Sequence, residues 1–361
     1  MGRTRNTGIA LAAGVALSLT VAACGGSDNS SGSSSGSSSA SSSGDKSVGV
    51  MIKGLDNPFF AAMNDGVKAA GKSTGSNVRI QAAASLDDTS GQASKLEALI
   101  GQKMSCYVVN PISQTNLVQP LARVPDGTPV VNIDSPVGAN AAKQAGLDIS
   151  TYIGTDNVAA GGMAADTMAG LVKGGGTIGV IGGVSGDSTS VARVTGFTQG
   201  ASGRFKPLTT VAGDWDRAKA LNAAEDLMRS NPDIKGFFAA NDQMALGIAQ
   251  AVKNAGKKGQ IAVVGVDGIE DALKAVQAGD MSATVSQYPY TIGQLGVEAC
   301  VAAAKGKNLP ASVKAPVQVV TKANVAKAEQ NFPQPVNTYA CLLYTSPSPR
   351  DLSTSRMPSS A

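Results

Sequence analysis

The stretch GFFAANDQMALGIAQAVKNAGKKGQIAVVGVDG, residues 236–268, reads as strand, helix, strand. Residues 236–240 and 261–266 are short apolar runs, and 243–255 is an alanine-rich segment of helical length between them. Two strands joined through a helix form a parallel pair. The same alternation runs outward in both directions. Upstream lie strand-like runs at 48–52, 78–82, 106–109, 129–133, 177–181 and 208–211, and downstream at 281–286 and 316–320. Helical segments such as 58–70 and 218–230 separate them. Ten such runs are too many for one small sheet, so the pattern predicts an α/β chain folded as two doubly wound parallel-sheet lobes.

The 361 residues are 42% hydrophobic and 16% charged, and only 4% aromatic. The formal charge of +4 is misleading. Arg3, Arg5, Arg350 and Arg356 lie near the ends with one acid, Asp351, and the body between is about neutral. It carries no basic run, so nucleic-acid binding loses its electrostatic basis. The chain contains no histidine. That removes histidine-assisted nucleophiles, the commonest zinc sites and the usual proton shuttle, and argues against a hydrolase or metalloenzyme.

Both ends stand apart from this pattern. Residues 1–23 read as a signal peptide, with Arg3 and Arg5 ahead of an apolar run at 9–23 that is too short for a permanent membrane span. The run closes on Val21-Ala22-Ala23-Cys24, which resembles a bacterial lipobox and implies a lipid on Cys24. Residues 24–45 then form a Ser/Gly tether, a composition with too little apolar surface to order itself. Residues 341–361, beginning Cys341-Leu-Leu-Tyr-Thr-Ser-Pro-Ser-Pro-Arg-Asp351, closely resemble a translated sequencing adapter and are read as an artefact tail. Cys106 and Cys300 remain, each most simply a small buried residue, with a bridge between them left open.

Open parallel sheets bind ligands beyond the carboxyl ends of their strands. Asn57, Asn110, Asp134, Asn241, Asp267 and Gln287 follow predicted strands. Amides and carboxylates without an opposing charge run suit hydroxyl groups rather than phosphates. Each has a plainer reading: Asn57 and Asn241 as helix caps, Asp134 and Asp267 as turn acids. Trp215, the single tryptophan, could anchor a core, and Arg193 could be a solvated charge. Phe59 and Phe60 point about 100° apart on a helix, so both hardly fit one core stripe. Gly66-Val-Lys-Ala-Ala-Gly71-Lys72-Ser73 matches the P-loop pattern but follows a helix instead of a strand, with Gly71 read as that helix's cap, and is rejected.

Seven segments decide between these readings. Asn57-Pro-Phe-Phe60, Val131-Asn-Ile-Asp134, Thr155-Asp-Asn157, Arg193-Val-Thr-Gly-Phe197, Asn241-Asp-Gln-Met-Ala-Leu-Gly247, Val264-Gly-Val-Asp-Gly268 and Ser286-Gln287 occur in the order found in the ribose-binding-protein-like family. The chain resembles those type I periplasmic solute-binding proteins of sugar ABC importers from about residue 47 to 321. The resemblance implies a three-crossing hinge, with residues 46–155 plus 288–318 as lobe 1 and 156–287 plus 319–340 as lobe 2. It implies that Asn57, Asp134, Arg193, Asn241, Asp267 and Gln287 bond sugar hydroxyls, and that Phe59, Phe60 and Trp215 sandwich the ring. Asn110 is placed near the pocket rim.

The resemblance further implies a non-enzymatic, cofactor-free, metal-free monomer outside the cytoplasm. It would be held to the cell membrane only by its lipid and would serve an ABC permease and ATPase. A sensor that shows the bound sugar to a membrane receptor is the alternative. One departure concerns the ligand. Ribose binders carry a second arginine where this chain has Ser135, and an aromatic often stands where it has Val266. Another pentose, a hexose or a linear polyol is expected instead of ribose.

Overall fold

A computed structural model describes residues 47–335. The expected signal peptide, Cys24, the tether and the artefact tail lie outside the described residues.

The first lobe alternates β1 (Ser47–Ile52), α1 (Pro58–Thr74), β2 (Asn77–Ala82), α2 (Thr89–Ile100), β3 (Cys106–Val109), α3 (Val118–Leu121), β4 (Val130–Ile133), α4 (Ala139–Gln144) and β5 (Thr151–Gly154). The chain then enters the second lobe. There it forms α5 (Asn157–Leu171), β6 (Thr177–Gly182), α6 (Ser188–Ala201), β7 (Lys206–Pro207), β8 (Val211–Ala212), α7 (Arg217–Ser230), β9 (Gly236–Ala239), α8 (Asp242–Asn254), β10 (Ala262–Asp267), α9 (Glu270–Ala278) and β11 (Ala283–Gln287). It returns to the first lobe as α10 (Pro289–Ala304) and β12 (Ser312–Lys314). It ends in the second with β13 (Val317–Thr321) and α11 (Val325–Asn331).

The first sheet runs β12-β5-β4-β3-β1-β2, and the second β13-β11-β10-β9-β6-β7 with β8 also on β6. Every pairing is parallel except β11 with β13. The chain passes between sheets after β5, after β11 and after β12. The last passage falls between Lys314 and Val317, slightly earlier than the sequence reading put it.

Helices on both faces bury the central strands completely, as the doubly wound pattern requires. All of β1 is buried. In β9, Phe237 and Phe238 point to opposite faces, following the two-residue period of a strand. Phe238 stacks on Phe197 of α6 at 4.1 Å and 6°, whereas Phe237 belongs to the core shared with Met244 and Ile248 of α8. The sheets are therefore rigid platforms whose strand ends can hold side chains in place.

Three sequence expectations change. The strand expected at 208–211 is an edge broken into β7 and β8, consistent with Pro207, which has no N–H for the ladder. Strands β5 and β12 were not expected; β12 contains one apolar residue and β5 ends in glycine. Helix α1 does not stop at Gly71 but runs to Thr74, with Gly75 as its left-handed cap at φ 64°. Residues 66–73 thus lie inside a helix, where Gly66 lets α1 approach the Tyr290 carbonyl of α10 closely. Finally, Cys106 and Cys300 are joined by a disulfide, which staples the returning α10 to β3.

Candidate functional site

The two lobes face a cleft of about 610 Å³. Its walls include Asn57, Phe59, Phe60, Asp134, Arg193, Trp215, Asn241 and Asp267. Eight of the ten candidate site residues read from the sequence therefore share one cavity.

On the first lobe, Asn57 caps α1 by accepting from the Phe59 N–H at 2.9 Å, and Pro58 occupies the first helical position. This is the preferred chemistry of a helix start. It fixes both phenylalanines at the cleft, with their rings edge to face at 5.2 Å and 81°. Asp134 follows β4 with φ 59°, a left-handed conformation unusual for a non-glycine residue. Ser135 Oγ donates to Asp134 Oδ2 at 3.2 Å. Lys53, just after β1, donates to Ser135 Oγ at 2.6 Å and stands 4.0 Å from Asp134 Oδ2 and 5.4 Å from the Phe60 ring centroid. The serine that replaces an arginine of ribose binders is thus accompanied by a lysine, which the sequence reading missed.

On the second lobe, Arg193 of α6 is 4% exposed. Its Nε donates to Asn157 Oδ1 at 2.8 Å, and its Nη1 to the Ala240 carbonyl at 2.7 Å and to Asp267 Oδ1 at 3.1 Å. The other terminal nitrogen makes no bond within the protein among the described residues. Asp267 Oδ1 also accepts from Gln287 Nε2 at 2.7 Å. Burial raises the Asp267 carboxyl above its ordinary value, and Arg193 opposes that rise. Arg193 thus pairs with Asp267, while Lys53 accompanies Asp134.

Asp242, also missed, is fully buried at the start of α8. Its Oδ2 accepts from the Gly268 and Ile269 N–H groups at 2.6 and 3.1 Å, and its Oδ1 from Thr284 Oγ1 at 2.8 Å. These bonds hold the turn that follows Asp267. Burial raises its carboxyl, and the charge of Asp267 adds to the rise. Asn241 caps α8 through the Met244 N–H at 2.9 Å. The plain capping reading and the cleft position are both true of it.

Trp215 reaches the cleft from a strained turn, with Asp214 at φ 52° and Trp215 at φ 63°. Gly183 backs the ring: a Cβ there would collide with the indole. Arg193 Cζ lies 6.0 Å from the ring centroid, within reach of a cation–π contact.

Asn110 and Gln287 do not line the cleft. Asn110 is fully buried, with Nδ2 at 3.6 Å from Met63 Sδ and Oδ1 unpartnered. Gln287 is buried against Asp267. The cleft also extends outward past Gln114, Asp87 and the loop at 184–189, a rim that periodicity could not assign to it. Among the described residues, no group of three or more metal-ligating side chains is assembled.

Residues 48–308 match the periplasmic binding protein domain. The chain is 39% identical over 266 residues to the D-allose-binding periplasmic protein of Escherichia coli K12, covering 72% of this chain and 86% of that one. It is 34% identical over 279 residues to the ribose import binding protein of Bacillus subtilis 168, covering 76% and 87%. Its structure is similar to an ABC transporter periplasmic solute-binding protein of Actinobacillus succinogenes solved with bound D-allose. The TM-score there is 0.73 at 26% identity, over 78% of this chain and 99% of that one. The chain belongs to the periplasmic binding protein family in its type I, two-lobed form, and it is a binding protein and not an enzyme.

Proposed function

We propose that this chain captures one small, neutral sugar or polyol in the cleft and closes its lobes around it. It then delivers the ligand unchanged to an ABC permease and ATPase, acting as a monomer tethered outside the cell membrane by a lipid on Cys24. One observation carries this reading: carboxylates, amides and an arginine from two separate sheets line one cavity together with Phe59, Phe60 and Trp215. A carboxylate accepts from two hydroxyls, a guanidinium fork donates to two, and ring faces pack on sugar C–H groups. The inner charges of the cleft pair off, Lys53 beside Asp134 and Arg193 with Asp267, which favours an uncharged ligand there, while Asp87 and Asp187 stand in its outer lining. Lobe closure about the three passages supplies the desolvation that strengthens these bonds and gives a permease two shapes to distinguish.

The disulfide between Cys106 and Cys300 supports an oxidising, extracytoplasmic compartment. Ser135 with Lys53 in place of a second arginine, and the similarity to a D-allose-binding protein, favour a hexose over ribose. A thermal-shift panel of D-allose, other hexoses, pentoses and polyols tests the reading. A ligand at 100 times its dissociation constant adds about 2.7 kcal/mol of stability, a clear rise in melting temperature. A panel in which no compound shifts the protein removes the proposal.

A further inference from the structure

Asp134 is held from both sides by a single neighbouring strand. Its N–H donates to the Ile153 carbonyl at 2.8 Å, and its carbonyl accepts from the Tyr152 hydroxyl at 2.5 Å. Between these ties the backbone turns sharply. The Ser135 N–H donates to the Ile133 carbonyl at 2.7 Å, a three-residue γ-turn closed around Asp134 at φ 59°. A γ-turn whose central residue has positive φ is rare and strained, and such a conformation persists only where its surroundings over-determine it.

We infer that Tyr152 is a positioning residue for ligand capture: its hydroxyl pins the Asp134 carbonyl, keeps the γ-turn closed, and so holds the Asp134 carboxylate at the cleft wall. The inference rests on the reading of the cleft as a sugar site.

The sequence of β5 is built around this reach. Residues two apart on a strand share a face, and the Tyr152 ring runs along its own strand over Gly154. A Cβ at residue 154 would collide with the phenol oxygen. The glycine that ends β5 therefore leaves the groove in which the phenol lies. Burial, and then the charge of Asp134, push the Tyr152 phenol above its ordinary value. It stays protonated and remains a donor at any pH the protein meets.

The test compares Tyr152→Phe, which removes only the hydroxyl, with Ser105→Ala. The latter deletes a side-chain bond in the same lobe, from Ser105 Oγ to the Ser47 carbonyl at 2.5 Å, at the opposite end of the sheet. Affinities for D-allose, D-ribose, myo-inositol and xylitol are measured by calorimetric titration, with Asp134→Asn in parallel. Crystal structures of wild type and Tyr152→Phe give the backbone at residue 134.

Tyr152→Phe is expected to weaken the best ligand roughly tenfold, about 1.4 kcal/mol. Ser105→Ala should leave affinity within twofold even where both variants melt at the same temperature. Asp134 should relax from positive φ in the Tyr152→Phe crystal. Gly154→Ala, which displaces the phenol by a different route, should repeat the loss. Wild-type affinity in Tyr152→Phe, or an equal loss in Ser105→Ala, overturns the inference, as does an unrelaxed residue 134. If Asp134→Asn binds as wild type, or wild type binds neither these four compounds nor any other of the thermal-shift panel, the reading of the cleft fails instead. The backbone at residue 134 then still decides whether Tyr152 holds the turn.

Discussion

Replacing Arg193 by alanine should destabilise the protein in a pH-dependent way that reveals what the arginine holds. Three hydrogen bonds disappear together: to Asn157, to the Ala240 carbonyl and to Asp267. The ion pair with Asp267 is enclosed, its two side chains being 5% and 7% exposed. Removing one partner of a buried pair strands the other charge and costs about 3–5 kcal/mol. Asp267 has an escape, which is to take up a proton. Burial already raises its carboxyl above the ordinary 3.8, with Arg193 holding the rise in check; without the arginine it rises further. A folded-state pKa above the unfolded one means that the native chain binds more protons within that window, so stability falls as pH rises through it. Each unit of additional rise is worth about 1.4 kcal/mol. Arg193→Ala should therefore lose about 3–5 kcal/mol at pH 8 and about 2 kcal/mol less at pH 5, where Asp267 is neutral. Urea unfolding followed by the fluorescence of Trp215, the only tryptophan, reads the lobe concerned. Equal losses at both pH values, or a loss that grows on acidification, would refute the stranded-charge account.

Two further changes separate binding from stability. Gly183→Ala places a methyl where the Trp215 indole packs. It should displace the ring and weaken the panel's best ligand at least fivefold by calorimetric titration; unchanged affinity would show that the indole does not act as a wall of the site. Converting Cys106 and Cys300 together to serine opens a loop of 194 residues. That should lower stability by up to about 5 kcal/mol on the chain-entropy account while leaving ligand affinity within twofold, because the bridge lies away from the cleft. A large change in affinity in thermal-shift titrations would mean that α10 transmits strain to the hinge.

The fold was legible because burial on both faces writes a plain code. Strands such as β1, β3, β6 and β10 are largely apolar runs, and α1, α2, α5, α6, α7 and α8 begin with Asn or Asp caps that sequence can read. What escaped were elements stabilised by neighbours rather than by their own composition. Strand β12 holds only Val313 in the core and is defined by pairing with β5. Of the residues that follow strands, Asn57, Asp134, Asn241 and Asp267 line the cleft, since a strand's carboxyl end is a position sequence can mark. Residues that act through another residue carry no such mark. Asp242 looks like any acid in a first helical turn, yet its carboxylate is spent on the Gly268 and Ile269 amides. Lys53 looks like a surface lysine, and nothing local says that it closes on Ser135, 82 residues away. Asn110 shows the opposite failure: a strand-end amide read near the rim is fully buried, because α1 and its Met63 cover it.

The inner charges of the cleft are paired within each lobe before the lobes meet, while Asp87 and Asp187 remain in its outer lining. Lys53 accompanies Asp134 on the first lobe, and Arg193 accompanies Asp267 on the second. A different design would place the cations on one lobe and the carboxylates on the other, and closure would then bring opposite charges together without any ligand. Such a cleft would shut when empty, and a permease reading closure would receive a false signal. Internal pairing removes that pull. The inner faces are dipolar and hydrogen-bonding. The carboxylates left over, Asp87 on one lobe and Asp187 on the other, carry the same sign. No charge attraction therefore draws the lobes together, and closure takes its free energy from a ligand that bonds both faces at once. A neutral polyol meets this condition, because each hydroxyl donates and accepts. An anion does not: at each inner pair it would be attracted by one partner and repelled by the other, and Asp87 and Asp187 would repel it at the rim.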